Sequence, residues 1–256
     1  MEAIDEMTKS YVEVLLSKGE RADRRGAFEI RPIEVKKGII ESSDGSAWVK
    51  WGETQVLASV KFDIATPFPD RPTEGVLSTT AELLPMANPR FEPGPPDERA
   101  IELARVVDRA IRSAEIIDLK SMFIEEGRVY AVYIDIYVLD YDGNYIDAAS
   151  LAAMAALRDA RVPPVKDGKL NREEKGVPLK LSGNALEFTF VKVGNHLILD
   201  PSLDEERALD TRITIGVCGD LVCSIQKTGR GAITRAELDK MIDVSFGKFK
   251  ELEKYL

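Results

Sequence analysis

Near the start of the chain, apolar and polar residues alternate in three runs, as in strands that bury one face. The runs 30–40, 45–52 and 54–62 are separated by Gly and Asp, so we expect an antiparallel meander. A Pro-rich stretch over 67–96 follows and encloses one further strand pattern at 75–84. Because proline interrupts helices, this stretch is predicted to be an ordered loop.

Other segments repeat apolar residues every three or four positions, which predicts helices that bury one side. The acidic N-terminal segment is expected to form an amphipathic helix over about 3–18. A helix over about 97–114 is expected to be capped by Asp97, since an Asp side chain satisfies free backbone N–H groups. A further helix is predicted to start at Asp147, again as the cap, and to end near Arg161.

The second half of the chain repeats this succession of strands and helices. The β-rich run 128–141 ends the strands of the first half, and a polar connection at 164–178 leads to the second. We expect an α+β fold of two similar β-α lobes, about 28–162 and about 177–256, packed as one domain that spans residues 1–256. The predicted elements of the second lobe are strands at 186–193, 196–200, 212–219 and 221–228 and a helix from Thr234 to the C-terminus.

Composition excludes several classes of protein. Of the 256 residues, 44% are hydrophobic, and no run approaches the roughly 18 apolar residues of a membrane span. The N-terminus lacks the basic-then-apolar order of a secretory signal, so we expect a cytoplasmic protein that does not bind membranes. Cys218 and Cys223 are too few for a disulfide scaffold and, with the single His196, give no zinc spacing. We interpret the cysteines as small apolar strand residues.

The net charge of -9 restricts how the chain could bind nucleic acid. Freestanding nucleic-acid binders usually carry a basic excess, because binding strength rises with the number of phosphates that are neutralised. An acidic chain would therefore bind RNA or DNA through a local basic stripe. We expect a partner to supply the rest of the positive field.

One basic stripe lies on the predicted helix over 97–114. Arg105, Arg109 and Arg112 follow one another at helical spacing and share a face, with Glu98 and Glu102 earlier on it. One interpretation is a solvated surface with Glu102–Arg105 ion pairs. The other is a row of cations for an RNA backbone, extended by Arg90 and Arg99, since guanidinium groups bind phosphate oxygens in pairs. The opposite, buried side of this helix is predicted to be Ile101, Ala104, Val107, Ile111 and Ala114.

Two further stretches bear on catalysis. The turn "YDGN" opens into an Ala-rich helix, and a helix start can bind phosphate. The first turn offers no Arg or Lys, however, and the Asp147 carboxylate would repel an anion. The second stretch is an acidic cluster, which could hold Mg²⁺ or act as a general acid but is more often a solvated loop. Its members are Asp200, Asp204, Glu205, Glu206 and Asp210.

These stretches belong to a longer set of motifs that extends from about Arg21 to the C-terminal helix. The motifs are "RADRRG", "GSAWVKWGETQVLASV", "ELLPMANPRFEPGPPDERAIELARVVDRAIR", "YDGNYIDAASLAAMAAL" and "LILDPSLDEE". Together they resemble the RNase PH family, and most closely its non-catalytic RNase PH-like subunits in archaeal exosomes. The Pro-rich segment and the helix after it are the most specific part. Arg24 departs from the opening motif, which usually has Gly there.

The resemblance implies an RNase PH-like fold and indicates that the chemistry has been lost. Phosphorolytic family members bind the attacking phosphate with a Gly-Ser/Thr-Arg triplet at a helix start, which we match to Ala149, Ser150 and Leu151. The missing Arg removes the counter-charge that a phosphate needs, since a helix end offers only about half a positive charge. Asp204 and Asp210 keep the six-residue spacing of the family's acidic pair. Without a bound nucleophile we expect at most a relic or structural role for them, and no cofactor in this subunit.

The resemblance also implies partners. Catalytic and non-catalytic subunits alternate in a six-membered ring, as a trimer of dimers with RNA-binding cap subunits. Mg²⁺ and phosphate are expected at the partner's active site. Arg105 and Arg109 would hold single-stranded RNA beside it, whereas Arg99 matches one member of an Arg-Arg pair whose other position is Glu98.

Two alternatives to this non-catalytic, RNA-binding function remain open. In the first, the chain is itself a phosphorolytic 3′-to-5′ exoribonuclease with an unorthodox phosphate site at Arg158 or Arg161. In the second, it is an assembly protein whose arginines only form surface salt bridges.

Overall fold

The computed structural model describes residues 2–256, with side chains described from Glu6 onward. Within this described range, no helix is long and apolar enough to cross a membrane. The elements form two β-sheets with helices between and around them, which confirms the predicted α+β arrangement of two lobes.

The first sheet contains the predicted meander and two further strands. Its order is β1-β2-β3-β6-β4, in which β4 runs parallel to β6 and the other pairs are antiparallel, and β5 pairs with β6 alone. Every strand predicted in this lobe is present, with ends that differ by a few residues. The strands are β1 (Ile33–Lys37), β2 (Gly45–Trp51), β3 (Thr54–Ala65), β4 (Val76–Leu83), β5 (Phe123–Glu125) and β6 (Arg128–Asp140).

The second sheet has four antiparallel strands, and short strand pairs lie in the connection that precedes it. The pairs are β7 with β10 and β8 with β9, so part of the predicted polar connection is β-structure. The sheet order is β12-β11-β13-β14, and the two cysteines are free and lie in β13 and β14. The ranges are β7 (Arg161–Val162), β8 (Val165–Lys166), β9 (Lys169–Leu170), β10 (Val177–Pro178), β11 (Leu186–Val193), β12 (His196–Leu199), β13 (Thr211–Cys218) and β14 (Leu221–Gly229).

Helices α2, α4 and α5 begin where capping side chains satisfy their first N–H groups. Asp97 caps α2 as predicted, accepting from Ala100 N at 2.9 Å, and Thr234 caps α5. The short α4 was not predicted; Ser202 and Glu205 form a capping box at its start, inside the stretch interpreted as a loop. The ranges are α1 (Glu2–Ser17), α2 (Glu98–Ser113), α3 (Tyr145–Asp159), α4 (Leu203–Ala208) and α5 (Arg235–Leu252).

Helix α3 occupies the centre of the molecule, between the two sheets. Its residues are buried on every side from Tyr145 to Leu157, and six of these thirteen are Ala, which lets neighbouring backbones approach closely. At Gly45 a Cβ atom would lie 2.6 Å from the Ala156 carbonyl oxygen, so β2 can contact α3 only with glycine there. One hydrophobic core runs from the first sheet through α3 to the second sheet.

Helix α2 is rotated relative to the predicted buried side. Ala104, Val107 and Ile111 are buried and Ala114 is partly buried, but Ile101 is 50% exposed, so that assignment was wrong. The buried arc is centred on Leu103, Val107 and Ala110, because α2 packs against α3 and β14 as well as β4. The helix carries apolar residues on either side of the predicted line. Packing against α3 and β14 buries the side that includes Leu103 and Ala110 and leaves Ile101 outside.

The buried carboxylate of Asp200 joins three separate parts of the chain. It accepts hydrogen bonds from Arg31 Nη2 at 2.7 Å, Arg31 N at 2.8 Å, Arg25 Nη1 at 2.8 Å and Asn144 Nδ2 at 2.8 Å. Burial alone would raise the pKa of Asp200, but Arg31 and Arg25 hold it below its usual value. The segment before β1, the end of β12 and the start of α3 therefore meet at one ion-pair cluster.

The "RADRRG" motif supplies the N-terminal side of this cluster. Arg21 forms a buried two-pronged ion pair with Glu205 of α4, with nitrogen–oxygen distances of 2.6 and 2.8 Å. Arg24, where the motif usually has Gly, lies in the turn that follows Arg21 and has a φ of 64°. Glycine is favoured there because a left-handed residue with a Cβ atom costs roughly 1–2 kcal/mol. The turn is kept despite the substitution.

We expect Asp200→Asn to lower the free energy of unfolding by about 3–5 kcal/mol, because Arg31 and Arg25 would lose their buried counter-charge. Chemical denaturation at pH 7 measures this. The matched control is Asp220→Asn, whose exposed carboxylate lies 4.0 Å from Lys250 and should change stability by less than about 0.5 kcal/mol. Equal losses in the two variants would contradict this account of the cluster.

Candidate functional site

The start of α3 lies three residues earlier than predicted. The N-cap is Asn144, with a left-handed backbone (φ 54°, ψ 45°), and Tyr145 is the first helical residue. Asn tolerates this conformation because its short polar side chain bonds locally, here to Asp147 Oδ2 at 3.0 Å. Asp147 is therefore the third residue of the helix and not its cap, which corrects the prediction.

Ala149, Ser150 and Leu151 consequently lie in the second turn of α3. They are at most 2% exposed, and the free N–H groups of a helix belong to its first turn only. Their assignment to the lost phosphate site was wrong in position, since a ligand cannot reach buried second-turn residues. The residues at the helix start are Asn144, Tyr145 and Ile146.

The chain's own carboxylates surround this helix start. Glu206 Oε1 accepts from the Asn144 N–H at 2.8 Å, and Glu206 Oε2 accepts from the Tyr141 hydroxyl. The pKa of Asp142 is raised, first by burial and then by nearby carboxylates that include Asp204, although Arg31 opposes this. Tyr145 and Ile146 are buried and neither is a cation. An incoming anion would meet negative charge and no free guanidinium.

The predicted acidic pair does not converge. Asp204 is 58% exposed and pairs with Arg207, whereas Asp210 pairs with Lys9 of α1 at 2.6 Å and accepts from Gly194 N at 2.7 Å. The two carboxylates are therefore bound to different segments of the chain.

Asp200 and Glu206 are the two carboxylates that meet at the start of α3, since both accept hydrogen bonds from Asn144. They have the same six-residue spacing as Asp204 and Asp210, so spacing alone could not choose between the pairs. Their oxygens are bonded to Arg31, Arg25 and Tyr141, and this donor set does not fit a Mg²⁺ ion. Among the described residues no three His, Cys, Asp or Glu side chains are arranged to hold a metal ion.

Aromatic residues fill the space in front of the helix start. Phe91 of the Pro-rich loop stacks on Tyr141 with ring centroids 5.4 Å apart, and Tyr141 lies 5.1 Å from Tyr145. Arg99 covers the outer face of Phe91 at 5.0 Å and is paired with Asp97 at 2.6 Å. Arg99 is thus committed to the loop, and Arg90 is tied to it through a bond from Arg99 Nη2 to the Arg90 carbonyl oxygen.

The other predicted arginines line a groove between β4 and α2. The groove has a volume of about 430 Å³, and Arg105, Arg109 and Arg112 lie along it with Ser78 and Thr79 opposite. The structure therefore brings the three arginines of α2 together on one side of an open groove. It places Arg90 and Arg99 apart from that groove, in and beside the Pro-rich loop.

The three arginines differ in their hydrogen-bonding and ion-pair partners. Arg112 is paired with Asp108 at 2.9 Å, and Arg109 donates to Gln226 Oε1 of β14 at 2.8 Å. Arg105 is exposed and has no hydrogen bond or ion pair among the described residues.

The expected Glu102–Arg105 pair is absent from the described contacts. Glu102 instead accepts from Arg212 at 2.7 Å and from Thr228 at 2.8 Å, both in the second sheet. The correction has a tertiary cause, because Arg212 of β13 and Thr228 of β14 reach Glu102 and bind it in place of a residue of its own helix. Arg105 is left with its charge available.

Two buried carboxyl groups lie beneath α2 and were not predicted. Asp147 accepts from Thr189 Oγ1 at 2.6 Å and Thr189 N at 2.9 Å, and burial raises its pKa to about 7. Burial, and then the nearby Asp147, raise the pKa of Glu187 to about 8, and its Oε2 atom has no hydrogen-bond partner among the described atoms. Glu187 is therefore held neutral at pH 7. The sequence could have indicated this buried polar site, because residues 187 and 189 are polar and lie on the same face of an otherwise apolar strand.

The two lobes match the two domain models of a single protein family. Residues 29–163 match the model for domain 1 of the 3′ exoribonuclease family, RNase PH, and residues 186–248 match the model for domain 2. Together these matches cover most of the chain.

Individual relatives share the whole length of the chain. It is 47% identical to the exosome complex component Rrp42 of Methanothermobacter thermautotrophicus, over 100% of this chain and 96% of the relative. Rrp42 of Pyrococcus abyssi is 44% identical, over 100% of this chain and 95% of the relative.

Solved structures agree with these relatives. A chain of the Archaeoglobus fulgidus exosome with RNA bound to the active site superposes with a TM-score of 0.91 and 41% identity, and 98% of each chain is covered. A chain of an archaeal exosome core gives a TM-score of 0.88 and 39% identity, over 99% of this chain and 98% of the other.

We expect the stability of the folded chain to fall with rising pH because of Glu187. Its folded pKa of about 8 lies above the usual 4.5, so the folded chain keeps a proton that the unfolded chain releases. The stabilisation is complete below about pH 4.5 and is lost as the pH rises through 8, at up to about 1.4 kcal/mol per pH unit. Denaturation midpoints from pH 5 to 9 should decline less steeply in Glu187→Gln, which carries no titrating group.

The control for this series is Glu126→Gln, which changes an exposed carboxylate outside the core. Its midpoints should run parallel to those of the unmodified chain. If Glu187→Gln also ran parallel, Glu187 would be ionised in the folded state and the assignment of a neutral carboxyl would be wrong.

Proposed function

The chain belongs to the 3′ exoribonuclease family, RNase PH, and on that premise we propose that it is the non-catalytic, Rrp42-type subunit of an archaeal exosome. In this role it binds RNA and completes the active site of a homologous catalytic subunit. The two subunits alternate in a hexameric ring, which forms a 3′-to-5′ exoribonuclease complex. The identity of more than 40% over the full length of Rrp42 relatives supports the assignment to an exosome.

The start of α3 carries the proposal that this subunit does not catalyse phosphorolysis. The attacking phosphate would need a free cation there, and the first turn has none. The Asn144 N–H group is taken by Glu206, and Arg31 is committed to Asp200. A divalent anion would be repelled by these carboxylates, because the helix end itself contributes only about half a positive charge.

The alternative phosphate site at Arg158 or Arg161 finds no support. Arg158 lies 13 residues after Tyr145, which corresponds to about 20 Å along a helix axis. Its guanidinium donates to Asn184 and to the Gly183 carbonyl oxygen, and Arg161 donates to the Gly176 carbonyl oxygen. Both arginines form their hydrogen bonds near the C-terminal end of α3, too far from its start to bind a phosphate there.

The groove beside α2 is the proposed path of single-stranded RNA. Arg105 and Arg109 carry charges that no carboxylate in the described contacts neutralises, and both line the groove. We give Arg112 a lesser role because it is paired with Asp108, and Arg90 and Arg99 a peripheral one. Few free cations on a chain of net charge -9 imply weak RNA binding by the chain alone.

The partners follow from the same reasoning. We propose that the catalytic RNase PH-like subunit holds the Mg²⁺ and inorganic phosphate, and that RNA-binding cap subunits complete the complex. No cofactor is assigned to this chain, and its setting is the cytoplasm.

The isolated chain, incubated with Mg²⁺, inorganic phosphate and single-stranded RNA, should release no nucleoside diphosphate. Adding the catalytic homologue should produce release, which chromatography of the nucleotide products detects. Release by this chain alone, and only when orthophosphate is supplied, would sink the non-catalytic assignment.

In the assembled complex, Arg105→Ala combined with Arg109→Ala should weaken RNA binding by about tenfold or more, since two phosphate contacts are lost. The slope of log affinity against log salt should become shallower by about 1.4, because each contact to a single strand contributes about 0.7. The charge-matched control combines Arg230→Ala with Arg235→Ala, two exposed arginines outside the groove, and should leave both quantities unchanged. An unchanged affinity in the first variant would favour a purely structural subunit.

A further inference from the structure

One face of β14 presents a row of polar side chains to α2. Ser224, Gln226 and Thr228 alternate along the strand and therefore point the same way. Ser224 lies 3.4 Å from Glu187, Gln226 bonds Arg109 at 2.8 Å and Thr228 bonds Glu102 at 2.8 Å. The edge strand of the second sheet is thus in polar contact with the arginine-bearing helix of the proposed RNA path.

The amide of Gln226 has a defined orientation in this row. Its Oε1 atom accepts from Arg109 Nη1, and the Gln226 side chain also lies near the Glu102 carboxylate and helps to lower its pKa. An amide between a cation and a carboxylate favours one orientation, with its oxygen toward the cation and its N–H toward the carboxylate. Glu102 is itself fixed by Arg212 and Thr228, so the amide is held on both sides.

Gln226 holds Arg109 without neutralising it. Two other arginines near this helix are neutralised by carboxylates. Arg112 pairs with Asp108, and Arg212 pairs with Glu102. Glu187 interacts electrostatically with Arg109, but its burial keeps it neutral at pH 7. Arg109 is therefore restrained by a neutral acceptor and keeps its positive charge.

Arg105 provides the contrast within the same groove. It is exposed and has no partner among the described residues, whereas Arg109 is half-buried and bonded. A free arginine loses side-chain entropy when it binds a phosphate, and this loss weakens binding. An arginine that is already oriented loses less.

We propose that Gln226 is a positioning residue that orients the Arg109 guanidinium toward a phosphate of single-stranded RNA. This inference rests on the proposed function, since it requires that RNA lies in the groove between β4 and α2. Gln226 itself does not contact RNA and acts only through Arg109.

A double-mutant cycle in the assembled complex tests this proposal. The variants are Gln226→Leu, Arg109→Ala and their combination, and affinity for a labelled single-stranded oligonucleotide is measured at several salt concentrations. Gln226→Leu should weaken binding about threefold by freeing Arg109, and should have no further effect when Arg109 is already Ala. Arg109→Ala should make the salt slope shallower by about 0.7, whereas Gln226→Leu should keep the slope because the charge remains.

A second substitution at the same position changes charge and not only orientation. Gln226→Glu places a carboxylate against Arg109, so it should weaken binding more than Gln226→Leu and make the salt slope shallower as well. The matched control is Gln55→Leu, which removes a glutamine hydrogen bond to Asp140 in the first sheet, outside the groove, and it should leave affinity unchanged. Molecular mass and melting temperature verify that each variant assembles, and Gln226→Ala replaces the leucine variant if that one does not.

The outcomes separate this inference from the function on which it rests. If Arg109→Ala weakens binding but Gln226→Leu does not, or weakens it equally in both backgrounds, Gln226 does not position Arg109 and the proposed function stands. If Arg109→Ala leaves affinity and salt slope unchanged, RNA does not contact Arg109 and both proposals fail at this groove.

Discussion

The buried Asp200 carboxylate is the point on which the arrangement of this molecule depends. It has no exposure to water, and its charge is balanced by Arg31 and Arg25 of the segment before β1. Its link to Asn144 fixes where α3 starts, and α3 in turn separates and supports both sheets. A Cβ atom at Gly143, beside Asn144, would lie 2.4 Å from the Ser202 carbonyl carbon, so the two segments meet only because glycine is present. The joint is therefore held by ionic bonds and close backbone contact together.

The same cluster also determines what the start of α3 presents to its surroundings. Around the start of α3, the guanidinium group of Arg31 and the carboxylates of Asp200 and Glu206 satisfy one another and the backbone. Aromatic rings from the Pro-rich loop occupy the adjoining space. These groups are engaged with one another, and removing one member of the Arg31–Asp200 pair would leave a buried charge uncompensated.

Positive charge is instead concentrated on α2, where the second sheet determines how it is presented. Arg212 and Thr228 remove Glu102 from the arginine face, and Gln226 restrains Arg109 with a neutral acceptor. Glu187 interacts with this arginine face from the core, but burial raises its pKa and keeps it neutral, so it does not cancel the charge of Arg109. A chain that is acidic overall can in this way offer a small number of ordered cations. The family relationship and these contacts together support a subunit that binds RNA and relies on a partner for catalysis.

The sequence by itself determined the elements whose signals are local. Strand alternation located all the main strands, the Asp97 and Thr234 caps set the starts of α2 and α5, and the motif set identified the family. Only the tertiary structure decided which of several equivalent local patterns is used. The start of α3, the choice of Asp200 and Glu206 over Asp204 and Asp210, the outward Ile101 and the partner of Glu102 all depend on residues distant in sequence. The physical reason is that spacing along a chain fixes which side chains share a face, whereas the charge, burial and partners of that face come from whatever segment packs against it.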